Sequence, residues 1–90
     1  MQSDNKVTIA FVINGVTVSI ETNTHPPLRE AITRALSESG NTGRPSAEWQ
    51  VRDANGVLLD PDRRISDFGF SSGTRLFLSL AVGAGGTRRG

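Results

Sequence analysis

Apolar and polar positions alternate from the start of the chain. Val7, Ile9, Phe11 and Ile13 recur with period two in residues 7–13, which predicts a strand with one buried face. Asn14-Gly15 follows. That pair suits a type I′ hairpin turn, whose two central residues need positive φ. The return strand is expected over Val16-Thr17-Val18-Ser19-Ile20, with the two valines and Ile20 inward. The period then changes. After Thr24-His25-Pro26-Pro27, residues Leu28, Ala31, Ile32, Ala35 and Leu36 fall at the spacing of one helical face. The prolines suit the first helical turn, Glu30–Arg34 is an i,i+4 pair in the favourable order, and Gly40 suits the C-terminal cap.

Shorter elements follow. Trp49-Gln50-Val51 reads as a strand with Trp49 and Val51 on one face, and Asp53-Ala54-Asn55-Gly56 as a turn. Val57-Leu58-Leu59 reads as a second short strand and Asp60-Pro61-Asp62 as another turn. Residues 65–70, Ile-Ser-Asp-Phe-Gly-Phe, are expected to make one compact turn with buried anchors. Residues 74–80 make the clearest strand, with Leu76, Leu78 and Leu80 on one face and Arg75, Phe77 and Ser79 on the other. One amphipathic helix on a mixed sheet is an α+β roll, with the first and last strands expected side by side and parallel in its centre. The alternative is a roll of the same elements in another strand order.

Composition narrows what such a domain does. Ninety residues allow one domain with a modest core. A net charge of +1, with no basic stripe interleaved with aromatics, gives no reason to expect nucleic acid. The absence of cysteine removes thiol catalysis, disulfides and thiolate metal sites. No apolar run is long enough to span a membrane, and Met1-Gln2-Ser3-Asp4-Asn5 is not a signal peptide, so a cytoplasmic protein is expected. His25 has no serine–acid or cysteine partner for catalysis and reads as a capping or solvated residue. Turn chemistry accounts for Asp60, Asp62 and Asp67, whose spacing does not match a calcium loop. Neither a metal site nor a cofactor is expected. Trp49 reads as core, whereas Phe77 is the one large apolar side chain expected outside on the central sheet. Phe77, with Gln50 and Ser79 beside it, is therefore the candidate partner-binding surface.

From Gly56 to Leu80 the chain has a glycine, a Leu-acidic turn, Ile65-Ser66-Asp67-Phe68 and the strand Leu76-x-Leu78-x-Leu80. After the strand comes Val82-Gly83-Ala84-Gly85-Gly86. Over residues 6–86 this resembles ubiquitin, and the whole is similar to bacterial ubiquitin-like modifiers encoded with their own conjugation enzymes. The resemblance implies a β-grasp: residues 1–5 a flexible N-terminus, 6–81 the domain, 82–86 a glycine arm and 87–90 a removable tail. It implies a modifier and not an enzyme. A peptidase would cut between Gly86 and Thr87, an activating enzyme would use ATP to adenylate the Gly86 carboxylate, and a conjugating enzyme would pass it to an amine on a target protein. Gly85 and Gly86 would be the conjugation residues.

The departures from ubiquitin are informative. Ala81, Val82 and Ala84 stand where ubiquitin's arm is basic, which implies a different activating enzyme. Lys6 is the sole lysine and so the single side-chain candidate for an acceptor on the chain itself; arginine stays protonated and is a poor nucleophile. Two rival functions share the fold. One is a sulfur carrier, whose activated glycine becomes a thiocarboxylate. The other is an unconjugated module that binds partners or associates with itself.

Overall fold

The protein is described by a computed structural model over residues 6–81. The expected arm, the tail, and with them Gly85, Gly86 and Thr87, lie outside the described residues. The elements run β1 (Lys6–Ile13), β2 (Val16–Asn23), α1 (Leu28–Glu38), β3 (Trp49–Arg52), β4 (Leu58–Leu59) and β5 (Thr74–Leu80). Two 3-10 turns, Ser46–Glu48 and Ile65–Phe68, lie between them. The sheet order is β2-β1-β5-β3-β4. β1 and β5 are parallel and the other neighbours antiparallel, so the first and last strands form the expected central pair.

β1 and β2 meet at a two-residue turn in which Asn14 has φ 51° and Gly15 φ 82°, the geometry a type I′ turn demands. Register then runs from Ile13 opposite Val16 to Lys6 opposite Asn23. β2 is longer than its apolar pattern suggests. Its polar end pairs fully with β1, and Thr22 is buried opposite Val7; pairing has overridden a weak strand signal. Val16, expected inward, is 52% exposed, and Val18 is only half-buried. An eleven-residue helix is about 17 Å long, whereas an eight-residue strand is about 27 Å. The helix cannot cover all of an outer strand, and the hairpin tip is left out.

α1 buries Leu28, Ala31, Ile32, Ala35 and Leu36 against the sheet, the stripe its spacing predicts. Each of its three large side chains contributes about 1.5–3 kcal/mol of burial. Both ends are capped by backbone. Pro27 is the N-cap and extended, one position earlier than the first-turn role expected of it, and no side chain caps the helix. Instead the Leu28 and Arg29 N–H groups donate to the Arg63 and Pro61 carbonyls at 2.9 and 2.8 Å. At the other end Asn41 N–H donates to Leu36 O and Gly40 N–H to Ser37 O, with Gly40 at φ +80°; this is a Schellman cap. The expected Glu30–Arg34 pair is not formed. Arg34 Nη1 donates to the Glu21 carbonyl of β2 at 2.9 Å, because that fixed carbonyl lies within reach of the helix face packed on the strand.

The core lies between α1 and one sheet face: Val7, Ile9, Phe11, Ile13, Ile20, Val51, Ile65, Leu76 and Leu78 meet the helix residues there, with Trp49. Phe68 and Phe70 are half-buried and stack on each other with centroids 5.0 Å apart. Leu80 shares the inward face of β5 yet is 39% exposed. It sits at the strand's last position, beyond the helix, and borders a cleft.

Candidate functional site

The sheet face opposite the helix carries the outward positions of all five strands. Register aligns them into rows. In one row Val12 stands beside Phe77 and Phe77 beside Arg52; Arg52 in turn stands beside Leu58. Phe77 is 40% and Leu58 54% exposed. Strands are about 4.8 Å apart, so the row from Val12 to Leu58 is about 14 Å long. The next row places Ser79 beside Gln50, with Ser79 exposed and Gln50 half-buried. The structure therefore brings Phe77, Ser79 and Gln50 together on one surface.

Two contributors escaped the sequence reading. Val12 is half-buried and Leu58 exposed on the same face. The signal for Leu58 was present: in a strand pairing with residues 51 and 52, one of two adjacent leucines must point out. What could not be read was the register that sets it next to Arg52. Arg52 and Arg75 flank Phe77 on this face and are exposed. Among the described residues neither joins an ion pair; Arg29–Asp62, Arg44–Glu48 and Arg63–Asp67 do. The face is thus an apolar centre with cationic neighbours. Arginine stems extend the apolar area while the guanidinium groups stay in water, which suits a partner with acidic groups around an apolar contact.

β5 leads from this face to the arm. Ala81 N–H donates to the Glu48 carbonyl at 2.9 Å, so the chain is held against the start of β3 as it leaves the domain. Lys6 lies at the far end. Ile9 pairs with Thr74; Lys6 precedes that level by three residues and Ala81 follows it by seven. Ten strand steps separate them by about 33 Å. Lys6 is exposed.

The other singled-out polar residues serve the fold. His25 is exposed beside the chain turn into α1. Asp60 Oδ1 accepts from the Asp62 N–H at 3.0 Å. Asp62 itself pairs with Arg29 at 2.9 Å and Asp67 with Arg63 at 3.8 Å, so these two hold ion pairs where turn chemistry alone was expected. Among the described residues no acidic or histidine cluster has a metal-binding arrangement. No helix among them is long and apolar enough to cross a membrane. Trp49 is core, 6% exposed.

Comparison with known proteins agrees with this geometry at the level of fold. The model of a family described as "Protein of Unknown function (DUF2604)" matches residues 2–86. The uncharacterized protein y4jI of Sinorhizobium fredii is 41% identical over 81 residues, a span covering 90% of this chain and 62% of that relative. A designed protein based on ubiquitin superposes with a TM-score of 0.72 at 18% identity, over 87% of this chain and 92% of its own. The ubiquitin of Caldiarchaeum subterraneum superposes with a TM-score of 0.69 at 14% identity, over 89% of this chain and 99% of its own. The fold is the ubiquitin-like β-grasp.

Proposed function

The chain belongs to the DUF2604 family, and from that premise, together with its β-grasp, we propose that it is a protein modifier attached to other proteins through Gly86. One observation carries this reading. The last strand of the domain ends at Leu80 and, after a single described residue, the sequence runs into Val82-Gly83-Ala84-Gly85-Gly86. A carboxylate at the end of such a run has no side chain of its own to obstruct an enzyme channel.

The chemistry belongs to partners. A peptidase first cuts between Gly86 and Thr87. The Gly86 carboxylate then displaces pyrophosphate from ATP on an activating enzyme, giving an acyl adenylate. A partner cysteine thiolate displaces AMP to form a thioester, and an amine of the target displaces the thiolate to leave an amide. The chain itself is not an enzyme and carries no cofactor. It contributes the acyl group and a docking face, the Val12–Phe77–Arg52–Leu58 row with Gln50 and Ser79, and it does so in the cytoplasm without nucleic acid or membrane.

Mass spectrometry of the 90-residue chain, incubated in its native cell, tests this. Gly86 should be found in isopeptide linkage on other proteins, and Gly86→Ala should block both the cut and the conjugate. A terminal thiocarboxylate at Gly86 with no isopeptide would make it a sulfur carrier instead. Unimpaired function of the double variant Gly85→Ala, Gly86→Ala would make it a binding module.

A further inference from the structure

The order β2-β1-β5-β3-β4 leaves the sheet two edges, and they differ. β4 is two residues long and runs straight into Asp60-Pro61; shortness and proline both keep an edge from pairing. β2 has eight residues with no proline or lysine among them, and no bulge interrupts its register with β1. The hairpin fixes which of its main-chain groups are free. Across a two-residue turn the flanking residues, here Ile13 and Val16, make the first ladder bond. Alternation then points the N–H and C=O groups of Thr17, Ser19 and Glu21 away from β1. Arg34 agrees with that parity, since its guanidinium reaches the Glu21 carbonyl from outside the ladder. Among the described residues no other hydrogen bond satisfies these main-chain groups.

We propose that this edge pairs with a second copy of the chain, β2 against β2, antiparallel and two-fold symmetric about Ser19. Ser19 then lies opposite the second copy's Ser19, and Thr17 opposite its Glu21, each pair exchanging N–H to C=O bonds. The Glu21 carbonyl keeps Arg34 on its other lone pair. Charge selects this register. Glu21 is the one charged residue of β2, and here it faces a threonine. Sliding two residues one way brings the two Glu21 side chains within about 7–8 Å on the diagonal. Sliding two residues the other way sets Glu21 against the turn at Gly15 and shortens the pairing, and a slip of one residue reverses the faces. The inner face fits as well. Val16 is 52% exposed and Val18 half-buried, because the helix covers them incompletely; pairing sets them beside the second copy's Thr22 and Ile20. The surface is thus self-complementary, as a two-fold interface must be. It joins two sheets into one and leaves both outer faces open on the same side, with their Phe77 side chains about 24 Å apart. A single strand pair is small beside the interface of a permanent dimer, so the association depends on concentration. The inference does not depend on conjugation, and holds or fails whether or not Gly86 is ever activated.

Sedimentation velocity on the 90-residue chain from about 5 to about 500 µM tests this, with the average mass expected to climb toward that of a dimer. Over the same range amide exchange at Thr17, Ser19 and Glu21 should slow about tenfold while the β4 edge holds constant, a readout that needs no variant. Ser19 is exposed, so Ser19→Lys and Ser19→Glu leave the monomer folded and set like charges opposite each other across the two-fold axis. Each variant alone should dimerise about tenfold more weakly or worse, and an equimolar mixture of the two should recover the dimer. A chain that stays monomeric at the highest concentration, variants that associate like the unmodified chain, or a mixture no heavier than its components would overturn the proposal. Edge amides that slow only when another protein is added would place that protein's strand on β2 and refute it.

Discussion

Two adjacent side chains on β5, Leu76 and Phe77, show how one strand serves stability and recognition at once. Leu78 and Leu76 are buried, while Phe77 between them is 40% exposed on the other face. Leu76→Ala leaves a cavity under α1 and should cost about 2–5 kcal/mol, a large part of the whole stability of so small a domain. Phe77→Ala removes a partly solvated ring and should cost under about 1 kcal/mol. If the outer face is where partners dock, the same change should weaken binding of the activating enzyme by about tenfold or more, as loss of an aromatic anchor does. Denaturant titration and a binding titration on the two variants check this together. A Phe77→Ala protein that binds normally, or one as unstable as Leu76→Ala, would remove Phe77 from the docking face.

At the scale of elements, the helix is held by what surrounds it more than by its own caps. Its first N–H groups are satisfied by the 61–63 loop, its last carbonyls by the turn through Gly40. The Arg29–Asp62 pair across the first junction is substantially exposed and screened, so it adds at most about 1 kcal/mol. Gly40 is the more sensitive point. It has φ +80° and nothing within 4 Å of where a Cβ would stand, so Gly40→Ala meets no clash and its effect isolates the backbone cost. That cost is about 1–2 kcal/mol for an L-residue in the left-handed region, which lowers the melting temperature by roughly 4–8 °C per kcal/mol in a domain of this size. A thermal melt of Gly40→Ala measures it, with Gly43→Ala, whose φ is not in that region, as the control expected to be nearly silent.

For the whole molecule, the parallel pairing of β1 with β5 decides what the arm can touch. Lys6 and Ala81 are about 33 Å apart along the sheet. The five residues 82–86 reach at most about 18 Å, and a lysine side chain does not make up the difference. Gly86 therefore cannot be joined to Lys6 of the same domain. Any isopeptide at Lys6 must link two chains. In a conjugation reaction, intact-mass analysis should show dimers that disappear in Lys6→Arg, and no monomer shortened by one water through a Gly86–Lys6 ring. A ring of that kind would require the sheet to open.

The sequence alone determined everything whose physics is local. Period-two alternation identified β1 and β5, the 3.6-residue stripe identified α1, and Asn14-Gly15 identified the hairpin, because each pattern states which face is dry and which φ is required. The inward face of the core was legible for the same reason, and so was the outward direction of Phe77. Where local pattern was weak or contrary, only the tertiary structure decided. β2 extends through Glu21, Thr22 and Asn23 because β1 offers them partners. Val16 and Leu80 stay exposed although they lie on apolar faces, because the short helix leaves uncovered the end of the sheet where the hairpin tip and the end of β5 lie together. Arg34 reaches a strand carbonyl and not Glu30, since the packed neighbour presents a fixed acceptor. The candidate face needed register: Val12, Phe77, Arg52 and Leu58 come from four strands and acquire one surface only when those strands are paired. The cleft that Leu80 borders needed more still, since it lies where the hairpin turn, the end of α1 and the end of β5 converge, and no spacing along a chain encodes an empty space between three separate segments.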